Sequence, residues 1–254
     1  MGKDNAVAVK ILHRARDGGA PPVLSCVELP FSPDDALAAD IDRHWSRLSK
    51  RSVDLGRTWY NGELWSPVGV QAGTVQVRQG YFRDYIGTRH LPASVLAHER
   101  ISPVSVAILP VEVDRPGGRI KALRFFRRAG HSLDFAGYFS GLGGLMEPQL
   151  DGLDPQVTAI REVGEECGLT ITGDDLTYLG TASIGPTHAI SYCYLLEVTQ
   201  QMMQQGFIFS DGEMTHSIKM PTATVRLLQW KLTPAAAWVK EFCRLVTDQH
   251  GHRF

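Results

Sequence analysis

A chain of 254 residues, 43% of them hydrophobic, can bury a full core as one large domain or two small ones. Its 26 basic and 27 acidic residues nearly cancel, which speaks against an overall field for nucleic acid or an anionic membrane. Four widely spaced cysteines without a CxxC pair argue against a disulfide framework or zinc site, and there is neither a signal-peptide core nor an apolar run near about 18 residues, so a cytoplasmic protein is expected.

Ser32 reads as the N-cap of a first helix, with Pro33 in the first turn and Asp34 and Asp35 near the positive dipole end. That helix should run to about Leu48. From Thr58 to Arg89, aromatic and β-branched residues broken by Asn61-Gly62, Pro67, Gly69 and Gly73 predict short strands joined by turns. Residues 104–113 and 120–128 predict a hairpin around Arg115-Pro116-Gly117-Gly118. Asp154 as N-cap, Pro155 as first helical residue and Gly168 as left-handed terminator delimit a helix over 155–167. Strands are expected at 176–184 and 190–198, and Thr233-Pro234 should start a closing helix to about Leu245. The order is an α+β pattern.

The helix at 155–167 carries the chemistry. At about 100° per residue, Glu162, Glu165 and Glu166 share one sector, with Ile160, Val163 and Cys167 opposite. Glutamates three and four apart repel by about 0.2 to 0.5 kcal/mol per pair unless a cation lies between them. Mg²⁺ or Mn²⁺ prefers oxygen ligands and keeps some waters, so two or three carboxylates on one face can seat it while diphosphate oxygens complete its shell. Arg161 can brace Glu165 across one turn. A plain solvated acidic face is the bland alternative. The capped frame favours the metal; the glycines of Ser140-Gly141-Leu142-Gly143-Gly144 would let a backbone carbonyl approach the same ion, although alone such a run is more often a plain loop.

Residues 161–169, Arg-Glu-Val-Gly-Glu-Glu-Cys-Gly-Leu, resemble the second half of the Nudix motif, which is Gly, five residues, Glu, seven residues, Arg-Glu-U-x-Glu-Glu-x-Gly-U with U aliphatic. The first half departs: Leu153 stands where the motif has Glu, Glu147 where it has Gly, and the glycines come three residues earlier at Gly143-Gly144. Gly143-Gly144-Leu145-Met146-Glu147-Pro148 and Phe82-Arg83-Asp84-Tyr85-Ile86-Gly87-Thr88-Arg89 are similar to segments of the UDP-glucose and UDP-galactose diphosphatase branch, with Arg89 in place of that branch's Asn.

The resemblance implies a Nudix fold, a mixed β-sheet sandwiched between helices, over 101–254, with an α+β extension over 1–100 packed on it. It makes Glu162 and Glu166 the first metal ligands, Glu165 a further ligand or water-positioning group, the Gly144 carbonyl another ligand, and Arg161 the residue that orients the glutamates. The implied activity is Mg²⁺- or Mn²⁺-dependent hydrolysis of a nucleoside diphosphate linked to another moiety, such as UDP-glucose, giving a nucleoside monophosphate and a sugar phosphate. A ligand-sensing or partner-binding Nudix domain, or a biosynthetic Nudix enzyme on a specialised diphosphate, are the alternatives, and a homodimer would be common for such additions.

Lesser candidates lie outside that helix. Glu213 is a candidate general base on position alone. His188, in the Gly185-Pro186-Thr187-His188 loop, and Arg89 are candidate substrate contacts. Arg127 is another, from the basic stretch Arg115, Arg119, Lys121, Arg124, Arg127 and Arg128, most of which fits a solvated strand face. Trp59, Trp65, Phe125 and Phe126 could stack on a base, yet at strand spacing they fit a core.

Overall fold

The structure is a computed structural model that describes residues 9–15, 20–54, 59–92, 95, 97–130, 136–184, 189–209 and 213–221. The helix expected at 233–245 and the loop carrying His188 lie outside the described residues.

The first strands are β1 (Val9–Arg14) and β2 (Val23–Cys26). Helix α1 (Asp35–Asp54) begins later than Ser32 suggested, because Asp34 is the residue that caps it, its Oδ1 accepting the Leu37 N–H at 2.8 Å. The helix also runs past Leu48.

Strands β3 (Glu63–Gln71) and β4 (Thr74–Tyr81) form a hairpin whose turn holds Ala72 at φ 47° and Gly73 at φ 78°, the doubly positive pair that matches strand twist. β3 passes through Pro67 and Gly69 with a register shift instead of breaking there. β2 adds to β4 in parallel, closing a three-stranded sheet.

Residues 82–88, expected as strand, are a helix, α2 (Phe82–Thr88). The Thr88 hydroxyl donates to the Asp84 carbonyl at 2.8 Å, and Gly87 lies against α1 so closely that a Cβ there would be 2.4 Å from Ile41 Cγ1. Packing against α1 overrides the β-preference of Phe82, Tyr85, Ile86 and Thr88.

The remaining elements are β5 (Val104–Val113), β6 (Ile120–Arg128), β7 (Phe139–Ser140), α3 (Pro148–Asp151), α4 (Pro155–Cys167), β8 (Leu176–Ile184), β9 (Ala189–Val198), α5 (Gln200–Gln205) and β10 (Met214–Pro221). The large mixed sheet runs β1-β8-β9-β5-β6-β10, with β7 also paired to β6. β5 and β9 are parallel and the other pairs antiparallel. β9 is buried almost throughout because both its faces are covered: Ile190, Tyr192, Tyr194 and Leu196 join one core cluster, Cys193 and Leu195 the other.

The expected hairpin of β5 and β6 pairs only from Val111↔Leu123 to Val113↔Ile120. Beyond that the strands part, and the glycine run is laid along β5 in the gap: the Gly144 carbonyl accepts the Val106 N–H at 2.9 Å and Leu142 exchanges two bonds with Ile108. Only glycine fits this line at 143, where φ is 136° and a Cβ would lie 2.2 Å from the Val106 carbonyl oxygen.

Leu24, Trp65, Val75 and Val77 from the small sheet share one core with Val104, Val106, Met146 and the α4 residues Ala159, Val163 and Cys167. The first hundred residues thus contribute to the same core that carries α4, and β1 is an edge strand of the large sheet. Among the described residues no helix is long and apolar enough to cross a membrane.

Candidate metal centre

α4 has the limits its sequence set. The Asp154 side chain accepts the Gln156 N–H at 2.8 Å, Pro155 opens the helix, and Gly168 terminates it at φ 72° with its N–H on the Gly164 carbonyl. Its buried face holds Thr158, Ala159, Glu162, Val163, Glu166 and Cys167. Glu162 and Glu166 therefore point into the protein beside the apolar residues, while Glu165 stands half-exposed at the rim. The acidic sector is divided between interior and surface.

Glu162 is held over the glycine run. A Cβ on Gly144 would fall 2.2 Å from its Oε1, so the carboxylate rests directly against the Gly144 backbone. Glu166, one turn on, accepts the Gly143 N–H through Oε2 at 2.6 Å. Burial pushes the Glu162 carboxyl up to about 8, with Arg161 opposing the rise and Glu165, Glu213 and Asp151 adding to it. Burial and the neighbouring Glu162 raise Glu166 well above the carboxylate range, the Gly143 N–H offsetting only part. Two acids have thus been taken out of water with one cation beside the first.

That cation is Arg161. Its Nε donates to Asp151 Oδ1 at 2.9 Å and its Nη2 to Asp151 Oδ2 and the Leu145 carbonyl, both at 3.0 Å. Its Nη1 lies 2.8 Å from Glu165, 3.0 Å from Glu162 and 4.0 Å from Glu147. Burial alone would lower its pKa, but Asp151, Glu162 and Glu165 outweigh burial and hold it protonated far above the usual range. One guanidinium faces Glu147, Asp151, Glu162 and Glu165, so negative charge is in excess. Burial also raises Glu147, where Arg161 opposes and Asp151 and Glu165 add.

Asp151 is the residue that the sequence left unnoticed. Leu153, in the motif's Glu position, is a surface residue. Asp151, two residues earlier and with its side chain fully buried, takes both prongs of Arg161 and also accepts the Glu147 N–H at 2.8 Å. An acid just ahead of the Gly152 turn was the available signal.

Glu213, the residue before β10, is brought near the same acids. Its charge acts on both Glu162 and Glu166, and its carboxylate lies 3.5 Å from Arg128 Nη2. Its carbonyl accepts the Ala129 N–H, tying the start of β10 to the end of β6.

The candidate substrate contacts fare differently. Arg127 alternates with Phe126, which packs toward α4, and follows Phe125, which belongs to the opposite cluster, so Arg127 falls on the far face and donates to the Gly137 carbonyl. Arg128, on the α4 side with Phe126, is the basic residue of β6 whose charge acts on Glu166. Arg89 ends α2 beside His90, whose ring packs on His44 of α1, and so belongs to the α1–α2 side of the molecule. Trp65, Phe125 and Phe126 are core residues, and Trp59 stacks on Phe82.

The donor set fits a hard divalent ion. Among the described residues no three His, Cys, Asp or Glu side chains converge to hold an ion alone. Two buried carboxylates, an acidic surplus around one arginine and a backbone laid beside them suit an ion that keeps waters and takes further oxygens from a substrate.

A family model described as the NUDIX domain matches residues 103–243. Among solved structures, the NUDIX domain of Shewanella oneidensis NrtR, crystallised with ADP ribose, is similar at 15% identity over 57% of this chain and 88% of that one, with a TM-score of 0.44. A Deinococcus radiodurans protein, DR0079, is similar at 17% identity over 72% of this chain and 98% of that one, with a TM-score of 0.47. A C. elegans Ap4A hydrolase is similar at 14% identity over 57% and 96% of the two chains, with a TM-score of 0.40. No curated protein sequence matches the chain.

Proposed function

The chain belongs to the Nudix family of pyrophosphohydrolases, and we propose that it cleaves the diphosphate of a nucleotide sugar such as UDP-glucose with Mg²⁺ or Mn²⁺ bound. The observation that carries this reading is the pair of buried acids one turn apart, Glu162 and Glu166, with Arg161 shared among their neighbours.

Glu162 and Glu166 would hold the ion, with Glu165 at the rim and the Gly144 carbonyl as a further oxygen. When bound, such an ion would supply charge relief on the phosphoryl oxygens and lower the pKa of a water beside it. Glu213 would take a proton from the attacking water as it adds to phosphorus. As the bridging P–O bond breaks, the proton is passed to the leaving phosphate, and UDP-glucose plus water gives UMP and glucose 1-phosphate. Arg128 neutralises the phosphoryl group while steadying Glu213. Arg161 keeps its protons and acts by orientation: it fixes the rim acid Glu165 and, through Asp151, the turn below Glu162.

The Asp151–Arg161 pair supports catalysis over ligand sensing alone, because it supplies the buried acid that the altered motif lacked at Leu153. Among the described residues Cys26 and Cys193 carry free thiols, which fits a cytoplasmic location. Purified protein incubated with Mg²⁺ and a panel of UDP-glucose, UDP-galactose, ADP-ribose and diadenosine polyphosphates tests the reading. Release of UMP from the UDP-sugars supports it; preference for another diphosphate overturns the substrate class.

A further inference from the structure

We propose that Trp65, on β3, is a positioning residue for Arg161 and through it for the acids of α4, an inference that rests on the hydrolase reading above. Trp65 grips both ends of the 146–152 turn. Its main-chain N–H donates to the Met146 carbonyl at 3.2 Å, and its indole N–H donates to the Gly152 carbonyl. Between those two carbonyls the turn carries Glu147, the short helix α3 and Asp151.

Asp151 hands the constraint on, since its carboxylate holds the Glu147 N–H with one oxygen and Arg161 with both. Arg161 then closes the loop from inside by donating to the Leu145 carbonyl. The turn is pinned from outside by Trp65 and from inside by Arg161. Two further contacts add to the outer grip: the Gln149 amide donates to Glu63 at 3.2 Å, and Gly62 lies against Glu147, a Cβ there being 3.8 Å from Oε2. Gly152 has φ 59°, so the turn needs a residue free of side-chain strain at the point where the indole bonds it.

If Trp65 were only a core aromatic, its ring would matter and its N–H would not. The test is a double-mutant cycle in the full chain with Trp65→Phe, which keeps a ring and loses the donor, Asp151→Asn, and the two combined. The readouts are kcat and KM for UDP-glucose or whichever diphosphate of the panel is cleaved, Mn²⁺ affinity by titration calorimetry, and the thermal midpoint. Trp65→Phe should lower kcat about tenfold with KM within about twofold, as for groups that orient a ligand from behind. Added to Asp151→Asn it should cost less than about twofold more, because both act through one arm.

Unchanged kcat in folded Trp65→Phe, or losses that multiply in the double variant, would overturn the proposal. Benzothienylalanine in place of Trp65, which keeps the bicyclic ring and lacks the N–H, carries the same readouts if the Phe variant does not fold. A wild-type chain that cleaves no diphosphate would sink the hydrolase reading alone. Mn²⁺ affinity then decides for Trp65: a fall in Trp65→Phe that Asp151→Asn does not deepen supports it, and no change overturns it.

Discussion

Asp151 and Arg161 form a two-pronged pair across ten residues of chain, Nε to Oδ1 at 2.9 Å and Nη2 to Oδ2 at 3.0 Å, at the base of the turn that leads into α4. Asp151 is fully buried and both its oxygens meet Arg161, so losing its charge leaves Arg161 to Glu165, Glu162 and the Leu145 carbonyl, without the two-pronged contact that fixes its plane.

Asp151→Asn should therefore lower kcat/KM by about 10- to 100-fold, mostly in kcat. Leu153→Glu, which restores the motif's acid at its sequence position, should not rescue Asp151→Asn, because position 153 is on the surface. Steady-state kinetics of the single and double variants check this; recovery by Leu153→Glu would mean that the turn can re-register to bring 153 to Arg161.

Gly144→Ala places a methyl group where the Glu162 carboxylate now rests, 2.2 Å from Oε1. The expected outcome is a folded protein whose Mn²⁺ affinity falls at least about tenfold, because the ligand moves and the ion's shell opens. Titration calorimetry with Mn²⁺, beside a circular dichroism melt, separates loss of the ion from loss of the fold.

Glu166→Gln removes a charge that burial disfavours while keeping a group for the Gly143 contact region. In metal-free buffer its melting temperature should rise by a few degrees, since the wild-type carboxyl must stay protonated or be buried charged. Mg²⁺ should raise the wild-type midpoint and leave that of Glu166→Gln nearly unchanged, because only a bound ion stabilises the folded state by mass action. A metal-induced shift of equal size in both would remove Glu166 from the site.

How much of this was readable beforehand follows the range of the forces. The caps of α4 act within four residues, so Asp154, Pro155 and Gly168 fixed its ends correctly. α2 did not read as a helix because its local preference is for strand and its cause is Ile41, some 45 positions back in the chain. The placement of Glu162 and Glu166 inside, and Glu165 at the rim, depends on which side of α4 the glycine run occupies. That run lies there because β5 and β6 separate after three residue pairs, a tertiary event with no local signature. Asp151 escaped for the same reason: a motif counts residues, whereas the turn at Gly152 sets where the carboxylate ends up.

A separate pH dependence of stability should show in the sheet, away from α4. Glu112 on β5 is paired with Arg124 of β6 and Lys219 of β10. Burial alone would raise its pKa, but the hydrogen bonds from Lys219 and Arg124 outweigh burial and hold it below the ordinary 4.5. A lowered folded pKa gives stability that is present above about 4.5 and lost as pH falls through the folded value. Glu112→Gln should thus melt below wild type at pH 7, with the gap closing as the pH is taken below 4.5. A gap that is constant with pH would mean that packing, and not charge, is what Gln loses.

The most direct test is the Mg²⁺ dependence of UDP-glucose cleavage by wild type and Glu166→Gln, followed by phosphorus NMR. The expected result is UMP and glucose 1-phosphate from wild type, none after chelation, and a loss of about 100-fold or more in Glu166→Gln. Cleavage that survives chelation, or that Glu166→Gln performs as well as wild type, would contradict the metal centre on α4.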